Sequence, residues 1–120
     1  MAVRELPRDE RCAAAARRFV ARQLYGEAGG EALSNAMLVA SELATNAYRH
    51  GEGRIELRVA RTGERIRIEV ADDGVGVLVE PRTEPGDVTG GWGLRVVDEL
   101  ASDWGASGGT TNVWVELRLG

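Results

Sequence analysis

Apolar side chains recur along two stretches of the chain at the three- and four-residue spacing of an amphipathic helix. Residues 9–25 begin with acidic side chains, which suit a helix N-terminus, and predict a first helix. Residues 31–50 show the same period and end at Gly51, a residue type common just beyond a helix C-terminus. A third, shorter helix is predicted over residues 93–101.

Other apolar residues alternate with polar ones, at the period of a strand with one buried face. Residues 54–60 and 65–71 flank the turn sequence RTGE and predict an antiparallel hairpin, and residues 111–119 predict the final strand. Residues 78–91 contain two prolines and several charges without periodicity, which predicts a long loop. Because the strands are grouped, the expected fold is α+β, with two layers and the helices on one face of a mostly antiparallel sheet.

Length and composition indicate a single domain over residues 1–120. The hydrophobic share of 43% and the charged share of 28% are those of a soluble globular protein. A net charge of −4 argues against direct binding to nucleic acid, and no apolar run is long enough to cross a membrane. The N-terminus lacks a signal-peptide core, and the single Cys12 suits a reducing compartment, so a cytoplasmic location is expected.

The residue types that the chain lacks exclude several kinds of chemistry. All 15 basic residues are arginine, which rules out a P-loop lysine, a Schiff-base lysine and a Ser–Lys dyad. One histidine and one cysteine make a structural zinc site within the chain untenable.

The second predicted helix separates its apolar side chains from a group of polar ones. The apolar arc, expected to face the sheet, comprises Leu33, Ala36, Met37, Ala40, Leu43, Ala44, Ala47 and Tyr48. The other side carries Asn35, Glu42, Asn46 and Arg49. Glu42 and Asn46 lie one turn apart, so this side is either a solvated face with a weak Glu–Asn contact or a set of groups aimed at a ligand.

Two glycine-containing segments are further candidates for a binding site. In VADDGVG, the acid Asp72 ends a strand just before Gly74 and Gly76, which is typical of a plain turn or of a carboxylate beside a closely approaching ligand. In TGGWGL, Gly91 and Gly93 precede a helix whose N–H groups could face phosphate oxygens, or they simply end the loop.

Taken together and in this order, the three segments resemble the N, G1 and G2 boxes of the GHKL superfamily of ATP-binding domains, which have the Bergerat fold. The sequences SELATNAYRHG, VADDGVG and GGWGLRVVDELASDWG are most similar to the small bacterial anti-sigma-factor serine kinases and related actinobacterial regulators. The resemblance runs from about residue 10 to the end of the chain.

The resemblance implies a role for each matching residue. Glu42 corresponds to the general base, Asn46 to the ligand of Mg²⁺, and Asp72 to the acceptor of the adenine amine. An amide oxygen is a suitable ligand for Mg²⁺, which keeps water and phosphate oxygens as its other ligands. The residues implied to border the nucleotide are Gly74, Gly76, Gly91, Gly93, Leu94 and Thr111, with Thr110 an alternative to Thr111. Residues 77–91 would form the ATP lid.

Two features depart from the family pattern. The lysine that often precedes the last strand is missing from GGTTNVW, so an arginine would have to complete the phosphate site, with Arg49 and Arg95 nearest to the motifs. The N-terminal strand is reduced to something like VREL, which leaves open the strand count and any homodimer built on that strand.

The function implied is that of an ATP- and Mg²⁺-dependent protein serine/threonine kinase. It would phosphorylate an antagonist protein, the anti-anti-sigma factor, and regulate transcription by switching partners with a sigma factor. One alternative is an ATP-binding interaction module that transfers no phosphate. A third interpretation, the catalytic domain of a histidine kinase, is weaker because the chain lacks dimerisation helices with a phosphoacceptor histidine and the lid is short for that class.

Overall fold

Within the described residues, the strands form one antiparallel sheet, and the helices over residues 12–24 and 30–50 pack on one of its faces. A computed structural model describes residues 1–74, 97–107 and 112–119. The order of elements is β1 (Ala2–Leu6), α1 (Cys12–Leu24), α2 (Gly30–His50), β2 (Ile55–Thr62), β3 (Arg65–Asp72), β4 (Asp103–Ser107) and β5 (Asn112–Arg118). The five strands lie in the order β1-β2-β3-β5-β4, every pair antiparallel. The predicted α+β class and two-layer arrangement are confirmed.

The predicted helices and the central hairpin are present with small shifts of their ends. The first helix begins at Cys12, three residues later than predicted, because the Asp9 carboxylate accepts the Arg11 backbone N–H at 2.8 Å in a turn that precedes the helix. The second helix has the predicted C-terminus at His50. Residues 97–100 are helical, and the rest of the predicted third helix lies outside the described residues.

The N-terminal strand that the sequence left in question is a full edge strand. Residues Ala2–Leu6 pair with β2, and Leu6 lies opposite Ile55. Leu6 is the one fully buried residue of this strand, so its sequence has no regular alternation of buried and exposed side chains. Burial of Leu6 and the hydrogen bonds to β2 therefore hold a strand that periodicity alone would not predict.

The core lies between the helices and the sheet. The strands contribute buried side chains from alternate positions, and both helices contribute one face. The residues that are completely buried and largest in volume include Leu24, Leu43, Ile55, Leu57, Ile66, Ile68, Val20, Val39, Val97 and Val115. The prediction for one residue of the apolar face of α2 is wrong, because Tyr48 is 40% exposed. Val39 and Ser41, which were not predicted to lie on that face, are buried. The buried arc of α2 turns toward α1 and leaves Tyr48 at its edge.

The other face of the sheet carries a network of paired charges. The Arg58 guanidinium contacts the carboxylate of Glu69 at 3.1 Å, and Arg67 lies 3.6 Å from Glu69 and 3.6 Å from Glu116. The Arg67 guanidinium also lies 4.5 Å from the centroid of the Trp114 ring, within the range of a cation–π contact. These polar neighbours explain why α1 and α2 cover the opposite face.

Within residues 1–74 and 97–107, no helix is both long enough and apolar enough to cross a membrane.

The sulfur of Cys12 lies at the contact between the two helices. It is 1% exposed, and its Sγ donates toward the Ala44 carbonyl oxygen at 3.6 Å. Burial is the main reason that the pKa of this thiol is raised above its usual value of 9.0. The folded protein therefore disfavours the thiolate that the unfolded chain forms readily at high pH.

This difference predicts a loss of stability at alkaline pH. Below pH 9 the thiol is protonated in both states, but above it the unfolded chain releases the proton first, so the free energy of unfolding falls as pH rises. Urea titrations between pH 7 and pH 10 should show a steeper alkaline decline for the wild type than for Cys12→Ala. Parallel curves for the two proteins would show that burial of Cys12 carries no such penalty.

Candidate functional site

Asp72 places a carboxylate on the core side of the sheet. The alternation of β3 puts Ile66, Ile68 and Val70 on the face that the helices cover, and Asp72 continues this series at the end of the strand. It lies opposite Ile55 and is only 3% exposed. Since burying an acid without compensation is costly, its neighbours must hold it in place or it must serve a ligand.

The two oxygens of the Asp72 carboxylate have different surroundings. Oδ1 accepts the backbone N–H of Gly74 at 2.6 Å and that of Glu52 at 3.4 Å. Oδ2 is buried and has no hydrogen-bond partner in the part of the chain that the structure describes. A buried acceptor without a donor usually marks a strained or a functional position. Oδ2 is thus suited to a donor supplied by a ligand.

Gly51 provides the space that Asp72 occupies. Its backbone N–H donates to the Ala47 carbonyl oxygen at 2.9 Å, which ends helix α2. A Cβ atom at this position would overlap Oδ2 and Cγ of Asp72 and would lie 2.7 Å from the Ala47 carbonyl oxygen. The φ angle of −91° is open to any residue, so a glycine is needed here for space and not for backbone conformation.

The turn that follows α2 is bonded to the end of β3 by a second aspartate. The Asp73 backbone N–H donates to the Glu52 carbonyl oxygen at 2.8 Å, and Asp73 Oδ2 accepts the Arg54 backbone N–H at 2.8 Å. Gly53 has a φ of +68°, a conformation that favours glycine, and a Cβ there would overlap the Asp73 side chain. Residues 51–54 are therefore fixed against the end of β3 by several independent contacts.

Glu42 and Asn46 lie on α2 as predicted, one turn apart, and both are half-buried. Asn35 shares their side of the helix, whereas Arg49 and His50 are exposed in the last turn. Among the residues of the described ranges, no group of three or more histidine, cysteine, aspartate or glutamate side chains could hold a metal ion. A divalent ion at Asn46 would thus take most of its ligands from phosphate and water, as Mg²⁺ commonly does.

Helix α2 sets the spacing of the candidate residues along its axis. Asn46 lies five residues before Gly51, which is about 7.5 Å along the helix axis. Glu42 lies nine residues before Gly51, which is about 13.5 Å. The Asp72 carboxylate lies at the Gly51 end. Along the helix axis, Asp72 at the Gly51 end is therefore followed by Asn46 and then by Glu42.

Of the predicted site residues, Glu42, Asn46, Asp72 and Gly74 lie within the described residues, and the structure joins Asp72 to Gly74 directly. The others lie outside them: Gly76, Gly91, Gly93, Leu94 and Thr111, together with Thr110, Arg95 and the lid over 77–91. From the sequence, Gly51 was predicted only to end a helix, and Glu52 was not predicted to be a site residue. The glycine directly after an asparagine-containing helix was the available signal for Gly51; nothing in the sequence marked the backbone donor of Glu52.

Comparisons with known proteins identify the family of the chain. The sequence model of the family described as "Histidine kinase-like ATPase domain" matches residues 6–118. The chain therefore belongs to the histidine kinase-like ATPase domain family, and membership implies ATP binding. A comparison with functionally curated proteins returned no significant match.

Solved structures support the same fold. The histidine kinase domain of the blue-light activated histidine kinase from Erythrobacter litoralis EL346 is 23% identical and gives a TM-score of 0.58 over 90% of this chain and 65% of that one. The Acinetobacter baumannii histidine kinase AdeS is 14% identical and gives 0.54 over 99% of this chain and 68% of that one. The chain thus spans about two-thirds of the length of these two structures, and at such identities the likeness concerns the fold alone.

The space at Gly51 can be tested with Gly51→Ala. The added methyl group should displace the Asp72 side chain or the end of α2, so we expect the free energy of unfolding to fall by about 1–3 kcal/mol. Gly29→Ala, at the opposite end of the same helix, is the control because nothing lies within 4 Å of its Cβ position. It should cost less than about 1 kcal/mol. Equal midpoints for the two variants in urea denaturation would contradict the close packing of Gly51 on Asp72.

Proposed function

We propose that the chain is an ATP-dependent protein serine/threonine kinase that regulates transcription by partner switching. The observation that carries the proposal is the buried Oδ2 of Asp72, which has no hydrogen-bond partner among the described residues, at the Gly51 end of the helix that carries Asn46 and Glu42. Family membership supplies ATP as the ligand, and the resemblance of the three motifs to anti-sigma-factor kinases supplies the class of partner.

Asp72 fits the adenine end of ATP. The exocyclic amine of adenine is a donor, and guanine presents a carbonyl oxygen at the equivalent ring position. Oδ1 already accepts two backbone N–H groups, which fixes the carboxylate and leaves Oδ2 as the acceptor. A buried acceptor discriminates strongly against a ligand that cannot donate to it, because the acceptor is then left unpaired.

Asn46 and Glu42 fit the phosphate end. The Asn46 amide oxygen would bind Mg²⁺, which neutralises charge on the phosphates and orients them. Glu42 would accept the proton of a serine hydroxyl on the antagonist protein. The hydroxyl oxygen forms a bond to the γ-phosphorus, the bond from that phosphorus to the bridging oxygen breaks, and ADP leaves. Phosphoserine and ADP are the products.

A second candidate function is ATP-dependent partner binding without phosphate transfer. The absence of lysine from the chain favours it, since lysine commonly holds the phosphates in enzymes that transfer them. Among the described residues, the hydrogen bonds that hold Asp72 involve neither Glu42 nor Asn46, so this candidate function needs only the Asp72 end of the site.

The adenine role predicts that Asp72→Asn loses its preference for ATP over GTP. The substituted amide can turn a donor toward the base where an acceptor is needed, and we expect a loss of about 2–3 kcal/mol in ATP affinity, or roughly 30- to 150-fold. Calorimetric titration of both nucleotides with Mg²⁺ measures it. Asp73→Asn is the control, because an asparagine there keeps an oxygen for the Arg54 N–H. Equal affinity of the wild type for ATP and GTP would contradict the adenine role.

The base role predicts that Glu42→Ala transfers phosphate to an antagonist serine about 100- to 10,000-fold more slowly, with ATP affinity nearly unchanged. Transfer is followed with radiolabelled ATP and the antagonist protein, and acid treatment of the product separates stable phosphoserine from labile phosphohistidine. Glu31→Ala is the control, an exposed glutamate in the first turn of the same helix. Unchanged transfer in Glu42→Ala would remove the base assignment, and no transfer by the wild type would favour the binding module.

A further inference from the structure

Arg8 contacts the end of α2 from the segment that joins β1 to α1. Its Nε donates to the Gly53 carbonyl oxygen at 2.6 Å, its Nη1 to that of Tyr48 at 3.0 Å, and its Nη2 to that of Ala47 at 3.2 Å. These acceptors lie 39 to 45 residues away in sequence. One half-buried guanidinium thus joins the N-terminal segment, the last turn of α2 and the turn after it.

The chemistry of this contact requires an arginine. Three carbonyl oxygens converge on one side chain, and the planar guanidinium presents several N–H donors in a fixed arrangement that an ammonium group lacks. Ala47 and Tyr48 belong to the C-terminal turn of α2, whose exposed carbonyls carry partial negative charge. The same end of the helix packs against the Asp72 carboxylate, another negative group. The cation of Arg8 offsets the repulsion between them.

The turn held by Arg8 is also the turn that holds Asp72. Gly53, which accepts the Arg8 Nε–H, is flanked by two residues that bond to the aspartates. On one side the Glu52 N–H donates to Asp72 Oδ1, and on the other the Arg54 N–H donates to Asp73 Oδ2. A shift of the turn would therefore move one of the two backbone donors to Asp72 Oδ1, the Glu52 N–H at 3.4 Å, and leave the carboxylate held by the Gly74 N–H alone.

We propose that Arg8 is a positioning residue for base selection: it fixes the turn over residues 51–54 so that Asp72 presents Oδ2 to the adenine amine. This inference rests on the proposed function, in which Asp72 reads the base. Arg8 contacts neither Asp72 nor the phosphate-end residues Asn46 and Glu42 through a hydrogen bond in the described part of the chain. Its effect should accordingly fall on discrimination between bases and not on the use of Mg²⁺.

The variant Arg8→Met tests the proposal, since it keeps most of the apolar stem and removes the donors. Arg11→Met is the matched control, because the Arg11 guanidinium bonds only to the nearby Asp9 among the described residues and its side chain is 72% exposed. Arg8→Lys keeps the charge and a single donor group, and it is the variant to measure should Arg8→Met not fold. Titrations of ATP and GTP give the affinity ratio, and residue-resolved hydrogen exchange without nucleotide gives the opening of the turn.

We expect Arg8→Met to lower the ratio of ATP to GTP affinity by about tenfold, Arg8→Lys to lower it less, and Arg11→Met to leave it unchanged. Exchange of the Glu52, Arg54 and Asp73 amides should accelerate, with the central β3–β5 amides unaffected. A purely stabilising cap would weaken both nucleotides equally, so an unchanged ratio overturns the proposal, as does unchanged exchange in the turn. A wild type that does not distinguish ATP from GTP would instead overturn the proposed function and the inference with it, whatever the exchange data show.

Discussion

A carboxylate held on the core side of a sheet, with one oxygen bonded and the other without a partner among the described residues, is the constraint around which this site is built. Burying the Asp72 side chain is expensive because each unpaired polar atom loses its hydration. Two backbone N–H groups offset part of that cost at Oδ1, and Gly51 gives the side chain room beside the helix. Under the proposed function, a ligand donor would recover the remaining cost at Oδ2, and the site would exchange stability of the free protein for selectivity in binding.

Helix α2 connects the Asp72 end of the site, which we propose reads the base, to the residues proposed for phosphate transfer. Its rigid rise sets the spacing of Glu42 and Asn46 from Gly51, and its C-terminal end carries partial negative charge toward Asp72. Like charges at one point would drive the two elements apart. The guanidinium of Arg8 and the backbone bonds of the following turn counter this tendency and keep the end of the helix against the end of β3.

The sequence predicted those parts of the molecule that depend on local periodicity. Helix α2 and the β2–β3 hairpin have long, regular patterns, and the motif residue Asp72 does occupy a buried strand end. Strand β1 lacked a regular pattern because only Leu6 of its residues is fully buried. Tyr48 was placed wrongly because the direction of the buried arc depends on how α1 packs against α2. Nothing in the sequence predicted the contacts of Arg8, since its three acceptors are backbone carbonyls that only the tertiary fold brings close to it.

Because the chain has no lysine, the positions of its arginines limit which side chains could bind a polyanion. On the face of the sheet away from the helices, Arg58, Arg65 and Arg67 pair with the carboxylates of Glu69 and Glu116. That face is separated from Asp72 by the sheet itself, and Arg8 is directed to carbonyl oxygens at the base end. A phosphate contact from the described residues would have to come from the helix side, where Arg49 lies exposed in the last turn of α2, one turn beyond Asn46. The Arg49 guanidinium would add positive charge beside the Asn46 amide without replacing that amide as the proposed ligand of the metal ion.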